Sequence, residues 1–212
     1  ASMGIYVFSK QLIIDVLKKD HSNSSSSHSM ETDIIPGLIA SHRVYAYGFG
    51  ASEGRVSQDG YWRKIADLDD YYHANMDLLK PVSPIDLNQS DWSIRTHQPQ
   101  CPPARTVPGI LGNEGISINS IISSGTVIAG GSVQNSILFS NVYIGDEAVV
   151  EDSILFDGVK IEDGAHIRNC IIDKNVIIPK GARIGFSEED DRKHFTITGN
   201  GIVVIGKSFS GF

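Results

Sequence analysis

Between positions 127 and 185 the chain repeats itself every 17 residues, and no other feature constrains its fold as tightly. Val127, Ile144, Ile161 and Ile178 form one column, Gly131, Ala148, Ala165 and Ala182 a second, and Val133, Val150, Ile167 and Ile184 a third. Ser136, Ser153 and Cys170 precede the apolar pairs Ile137-Leu138, Ile154-Leu155 and Ile171-Ile172. A fixed period of this kind marks stacked repeats. Seventeen residues are one short of three hexapeptides, so each coil is expected to give three short strands and three corners of a triangular parallel β-solenoid. Its aliphatic columns point inward and stack coil on coil, while small residues and glycines occupy crowded turns. A heptad coiled coil has the wrong period, and a sheet sandwich would not hold residue type in register from coil to coil.

The rest of the composition sets bounds. The chain has 212 residues, 41% of them hydrophobic, and a mean hydropathy of -0.08. That is enough length for a solenoid plus part of another domain. No apolar run approaches membrane length, so no membrane partner is expected. Ala1-Ser2-Met3-Gly4-Ile5-Tyr6-Val7-Phe8 lacks the basic start of a signal peptide and reads as a β-strand. A strand with no lead-in suggests that the sequence begins partway through a domain. The net charge of -7 argues against nucleic acid as a partner. Two cysteines, Cys101 and Cys170, are too few for a disulfide framework, and Cys170 fits a small buried corner residue. A reducing, cytoplasmic location is expected.

Ahead of the coils, residues 9–20 carry a helical stripe of Leu12, Ile13, Val16 and Leu17. Residues 21–29 form a serine-rich loop, and 31–41 resume a helical pattern with a kink expected at Pro36. Residues 44–49 alternate as an extended segment does, and 61–80 read as a second helical region ended by Pro81. Residues 82–108, rich in proline, read as a linker that Trp92 could pin to its neighbours. The expected domains are therefore 1–81, 82–108 and 109–212.

Several segments carry a family resemblance. Ser2-Met3-Gly4-Ile5-Tyr6-Val7-Phe8, Tyr61-Trp62-Arg63, Ala74-Asn75-Met76-Asp77-Leu78, Trp92-Ser93-Ile94-Arg95-Thr96 and Pro102-Pro103-Ala104-Arg105 follow one another as in bacterial ADP-glucose pyrophosphorylases. Cys170-Ile171-Ile172-Asp173 and Gly201-Ile202-Val203-Val204 resemble the same enzymes. The resemblance implies the C-terminal portion of an α/β, Rossmann-like nucleotidyltransferase domain followed by a left-handed parallel β-helix of hexapeptide repeats. It also implies adenylyl transfer from ATP to glucose 1-phosphate, with Mg²⁺ as cofactor, an anionic effector such as AMP or a sugar phosphate, and a homotetramer. The Gly-rich nucleotide loop and the Glu-Lys-Pro lysine of that family are expected upstream of Ala1, so the 212 residues alone should not turn over.

By the same resemblance, Ser2 and Trp62 match residues beside glucose 1-phosphate; the bland alternatives are a strand-end serine and a packing tryptophan. Lys64 departs from the family pattern, Tyr-Trp-Arg-Asp, by placing an ammonium where those enzymes carry a metal-binding aspartate. Impaired catalysis in a regulatory or weakly active paralogue, neutralisation of phosphate by Lys64, and rescue by Asp67 one helical turn later all remain open. Lys174 and Lys207 fall at basic effector positions, though each is also a plausible solvated lysine. His28 and Asp33 read as loop and helix start, and residues 188–191 as a solvated acidic turn. The rival class is a hexapeptide acyltransferase using His166, and a third is a purely structural oligomerisation module.

Overall fold

A computed structural model describes residues 2–49, 60–85, 87, 96–97, 99–209 and 211, which form two compact units, Ala1–Lys64 and Ile65–Phe212. In the first unit, helix α1 (Lys10–His21) realises the expected stripe, with Lys18, Lys19 and His21 in its last turn complementing the helix dipole. The serine-rich loop that follows is held by carboxylates. The Ser26 hydroxyl donates to Asp20 Oδ1 at 2.6 Å, and His28, in the left-handed region with φ 58°, sets Nδ1 2.7 Å from Asp20 Oδ2. Ser29 then caps a single π-helical turn, Met30–Ile34, by accepting the Thr32 N–H, while Asp33 accepts the Ser29 N–H in return.

The expected kink at Pro36 is corrected. Pro36 lies in the first turn of helix α2 (Ile35–Ile39), where its missing N–H would have no intrahelical partner, and the irregularity precedes it in the π turn. The strand expectation for residues 1–8 fails over its described residues 2–8, while 44–49, expected to be extended, are not helical. Neither segment makes a sheet ladder, and Val7 is 96% exposed. Alternation alone does not make a strand; a partner edge must accept its hydrogen bonds.

The second unit is the parallel solenoid. Its first sheet stacks Arg105–Val107, Val127–Ala129, Tyr143–Ile144, Lys160–Ile161 and Ile177–Ile178. Its second stacks Ile116–Ile118, Ser132–Gln134, Val149–Glu151, His166–Arg168 and Arg183–Ile184. The third contains Ile121–Ile122, Ile137–Leu138, Ile154–Leu155, Cys170–Ile172 and Val203–Ile205, with Thr196–Ile197 added antiparallel at its edge. Arg105–Val107, read from the sequence as the end of a linker, is thus a solenoid strand. Trp92 lies outside the described residues.

Inward columns are fully buried: Val150, Ile167 and Ile184 in one, Ile144, Ile161 and Ile178 in another. Each such side chain contributes about 1.5–3 kcal/mol of burial. One column needs correction. Val127 pairs with Tyr143, and Ile128 is the inward partner of Ile144, because the coil from Val127 to Tyr143 has 16 residues and the two after it 17. The serine column is a ladder. The N–H of Ser136, Ser153 and Cys170 each donates to the hydroxyl one coil earlier, on Ser120, Ser136 and Ser153, at 3.1 Å. The same hydroxyls and the Cys170 thiol donate to a carbonyl two residues back. The residue before each rung, Asn119, Asn135, Asp152 and Asn169, has φ between 44° and 50°, a conformation that Asn and Asp tolerate better than most.

Two helices dress the solenoid. Helix α3 (Leu68–Met76) begins at Asp67, whose side chain accepts the Asp70 N–H at 2.8 Å, and runs into a 3₁₀ turn, Asp77–Leu79. The helix read over 61–80 therefore starts later, because Asp67 caps it and residues 61–66 are irregular. Helix α4 (Glu188–His194) replaces the expected solvated acidic turn. Ser187 caps it, four acidic residues fill its first turn, and Arg192, Lys193 and His194 its last. Asp191 is buried and accepts the Gly185 N–H at 3.0 Å.

Candidate functional site

Three of the five candidate residues lie in the first unit. Ser2 precedes a bend at Gly4 (φ 71°); its hydroxyl accepts the Gly4 N–H at 3.1 Å and lies 2.7 Å from the Tyr6 phenol. The phenol in turn donates to Glu31 Oε1 at 3.2 Å. Ser2 is exposed and can exchange these partners for a sugar or phosphate oxygen. Trp62 and Lys64 occupy the irregular segment before α3, Trp62 being 47% exposed and Lys64 exposed. A tryptophan half in solvent keeps a ring face for a ligand.

Asp67 is the first carboxylate after Lys64 in the sequence. It is the N-cap of α3, not a residue one helical turn beyond Lys64, and its Oδ1 is engaged by the Asp70 N–H. Among the described residues no group of three His, Cys, Asp or Glu side chains could hold a metal ion. The described residues therefore form no all-protein cage, and Mg²⁺ would be held by one or two carboxylates together with substrate phosphates.

The other two candidates follow neighbouring strands of the third sheet. Ile172 pairs with Ile205, and the Asp173 N–H continues the ladder by donating to the Ile205 carbonyl at 2.9 Å. Lys174 and Lys207 each lie two residues beyond those paired positions, in the turns that leave these two neighbouring strands. Both are exposed. Lys174 Nζ stands 3.8 Å from Asp157 Oδ2, the residue one coil below it, a weak surface pair that an anion can displace. Beyond Lys207, an open depression of about 480 Å³ is lined by Lys193, His194, Phe195, Ser208 and Phe209 among others, with the two phenyl rings 5.2 Å apart. Sequence reasoning missed this depression because part of its wall, Lys193 and His194, comes from α4.

Helix α3, which follows Trp62 and Lys64, is fixed to the solenoid. Tyr72 is buried with Ile154, Ile171 and Ile202, and Tyr71 packs 6.1 Å from Phe156, itself 5.0 Å from Phe139. Burial pushes the Tyr72 phenol well above its usual range, and the negative charge of Asp152 adds to the shift. The Cys170 thiol is raised too, by complete burial, and is not poised as a nucleophile. His166 faces outward in the second sheet, its ring 6.5 Å from that of Phe186, over which the Arg183 guanidinium stacks at 4.7 Å. No helix among the described residues is long and apolar enough to cross a membrane.

Comparison with known proteins bears on both units. Residues 1–81 match the family model of a nucleotidyl transferase, and residues 102–205 that of a GlmU-like, C-terminal hexapeptide domain. The chain is 54% identical over 209 residues to glucose-1-phosphate adenylyltransferase 2 of Vibrio parahaemolyticus, covering 99% of this chain and 52% of that protein. It is 50% identical over 209 residues to the Vibrio cholerae protein of the same name, covering 99% and 51%. A glucose-1-phosphate adenylyltransferase of Nitrosomonas europaea is 39% identical over 212 residues, covering 99% and 49%. The chain thus spans about half the length of the curated relatives it matches.

Proposed function

This chain belongs to the glucose-1-phosphate adenylyltransferase family, and on that footing we propose that the protein carrying it transfers the adenylyl group of ATP to glucose 1-phosphate. The sugar phosphate oxygen attacks the α-phosphorus of ATP, forming ADP-glucose as pyrophosphate leaves. The observation that carries this reading is a likeness unbroken across both units, nucleotidyl transferase first and hexapeptide solenoid second. Positioning and charge stabilisation dominate such chemistry. Ser2 and Trp62 are proposed to face the sugar phosphate, the serine through a hydroxyl donor and the tryptophan through its exposed ring. Mg²⁺ would supply charge neutralisation on the phosphates, with ligands from outside the described residues. The 212 residues alone are proposed not to turn over.

Lys174 and Lys207 are proposed to bind a small anionic effector, AMP or a sugar phosphate; both are exposed and each follows one of two paired strands by two residues, which supports the reading. Each ammonium offers point charge without the bidentate fork of arginine. A cytoplasmic homotetramer is the proposed assembly. A second reading, a weakly active regulatory subunit, is supported by Lys64, an ammonium where the family resemblance expects a metal-binding aspartate, and by Asp67, whose Oδ1 caps α3.

The test is to incubate the whole protein with ATP, glucose 1-phosphate and Mg²⁺ and to follow pyrophosphate and ADP-glucose together. Formation of both in equal amounts supports the enzyme. Formation of neither, with folded protein, leaves the regulatory subunit as the reading.

A further inference from the structure

Helix α3 is joined to the far end of its unit by a short polar chain. The Ile202 N–H donates to Thr198 Oγ1 at 3.1 Å, and the Thr198 hydroxyl donates onward to Asp69 Oδ1, 129 positions away in sequence. Thr198 opens the turn between Thr196–Ile197 and Val203–Ile205, where its N–H reaches the Ile202 carbonyl at 3.0 Å and its carbonyl accepts the Gly201 N–H at 3.1 Å. The hydroxyl thus accepts from the hairpin and commits its only proton to the helix. An amide donor polarises such a hydroxyl, and a carboxylate acceptor makes its bond roughly twice as strong as a neutral one.

The position of Asp69 gives the contact its meaning. It lies in the first turn of α3, directly after the segment that carries Trp62 and Lys64. That turn is further organised by Asp67 as cap and by the Ala66 N–H donating to Asp70 Oδ2 at 3.1 Å. At the other end, the strand Val203–Ile205 runs within two residues into Lys207. We infer that Thr198 and Asp69 are a positioning pair, fixing the first turn of α3 to the strand that ends at Lys207. The inference rests on the reading of Trp62 as a sugar-phosphate residue; neither Thr198 nor Asp69 touches substrate in it.

Thr198→Val keeps the shape and removes both hydrogen bonds, whereas Thr198→Ser keeps the hydroxyl. Asp69→Ala breaks the same bond from the helix side and serves where the valine variant fails to fold. The whole protein is followed by hydrogen-exchange mass spectrometry of peptides covering residues 60–70, and by kinetics with glucose 1-phosphate and ATP. The valine variant should exchange faster there, and its KM for glucose 1-phosphate should rise about three- to tenfold with kcat within about twofold. The serine variant should restore both. Unchanged exchange at 60–70, a serine variant that behaves as valine does, or faster exchange with an unmoved KM would each overturn the inference. Exchange is read whether or not the protein turns over. A wild type that makes no ADP-glucose therefore counts against the proposed activity, and the exchange arm still judges the pair.

Discussion

The Tyr72 hydroxyl donates to the main-chain carbonyl of Asp152 at 2.6 Å, across 80 residues of sequence. Asp152 holds a positive φ of 45° at the corner before Ser153, so the phenol of α3 satisfies a carbonyl at a tight bend of the ladder. Tyr72→Phe keeps the ring and should cost about 1 kcal/mol in urea unfolding at neutral pH. The phenol's folded pKa is raised above its ordinary 10.0, so its contribution is complete below that value and is lost as pH rises through the higher folded value. The stability gap between wild type and Tyr72→Phe should therefore close in alkali. Urea midpoints of the two proteins at pH 8 and above pH 10 check this, and a gap that widened would contradict it.

Ser153 occupies a central rung, accepting the Cys170 N–H and donating to the Glu151 carbonyl at 2.6 Å. Both Ser153 and Cys170 are wholly buried. Ser153→Ala leaves a buried N–H with no acceptor and should cost about 1–3 kcal/mol. Ser153→Cys should cost less, because Cys170 already fills a rung and donates to the Arg168 carbonyl at 3.0 Å. Thermal denaturation of the two variants decides it, and equal losses would show that packing, not the ladder, sets the stability of this column.

Legibility in the sequence followed the range of the interactions. The coils could be read because stacking puts position i above i+17, so every core residue announces itself again one coil later. Val127 was misplaced only because the coil from Val127 to Tyr143 is one residue shorter. Helix α4 was missed although its signals were local: Ser187 with Asp190 three residues on, acids first and bases last. The run of four acidic residues reads instead as a solvated turn. The Asp67 and Asp70 pair likewise marked the start of α3, but Ile65 and Leu68 drew the helix too far upstream. Of the site, Lys174 and Lys207 were visible as cations, but that they follow neighbouring strands comes from a pairing that skips 33 residues between Ile171 and Val204. Contacts such as Thr198 with Asp69 leave no pattern in one sequence.

Asp146 provides a test in acid. Only 7% exposed, it receives the Leu111 N–H at 2.8 Å and the Asn113 side-chain N–H at 3.0 Å, holding the turn whose Ile110 side chain is fully exposed. The Leu111 N–H, and then Asn113, hold its carboxyl below the ordinary 3.8. Its contribution is thus present above pH 3.8 and is lost as pH falls through the lower folded value. Amide exchange at Leu111, corrected for intrinsic rate, should lose protection over that acid range. Asp146→Asn should lose it already at neutral pH, since one amide face presents donors to a donor. Protection in the Asn variant matching wild type at neutral pH would remove the carboxylate from this role.

Lys64 offers the sharpest chemical prediction. On the proposed reading Lys64 stands where a metal-binding carboxylate is expected, and an ammonium there would repel the cation that phosphoryl transfer requires, while Asp67 Oδ1 is bonded to the Asp70 N–H. In the whole protein Lys64→Asp should raise turnover, on the order of a hundredfold if one charge-stabilising contact is regained. Lys64→Gln separates the two effects of the change: it removes the repulsion without supplying a ligand, so its turnover should lie between those of wild type and the aspartate variant. Initial rates of pyrophosphate release over a Mg²⁺ titration distinguish the cases, because a regained ligand lowers the Mg²⁺ needed for half-maximal rate. If the aspartate variant is slower than wild type, Lys64 itself neutralises phosphate charge, and the chain has exchanged a metal contact for an ammonium.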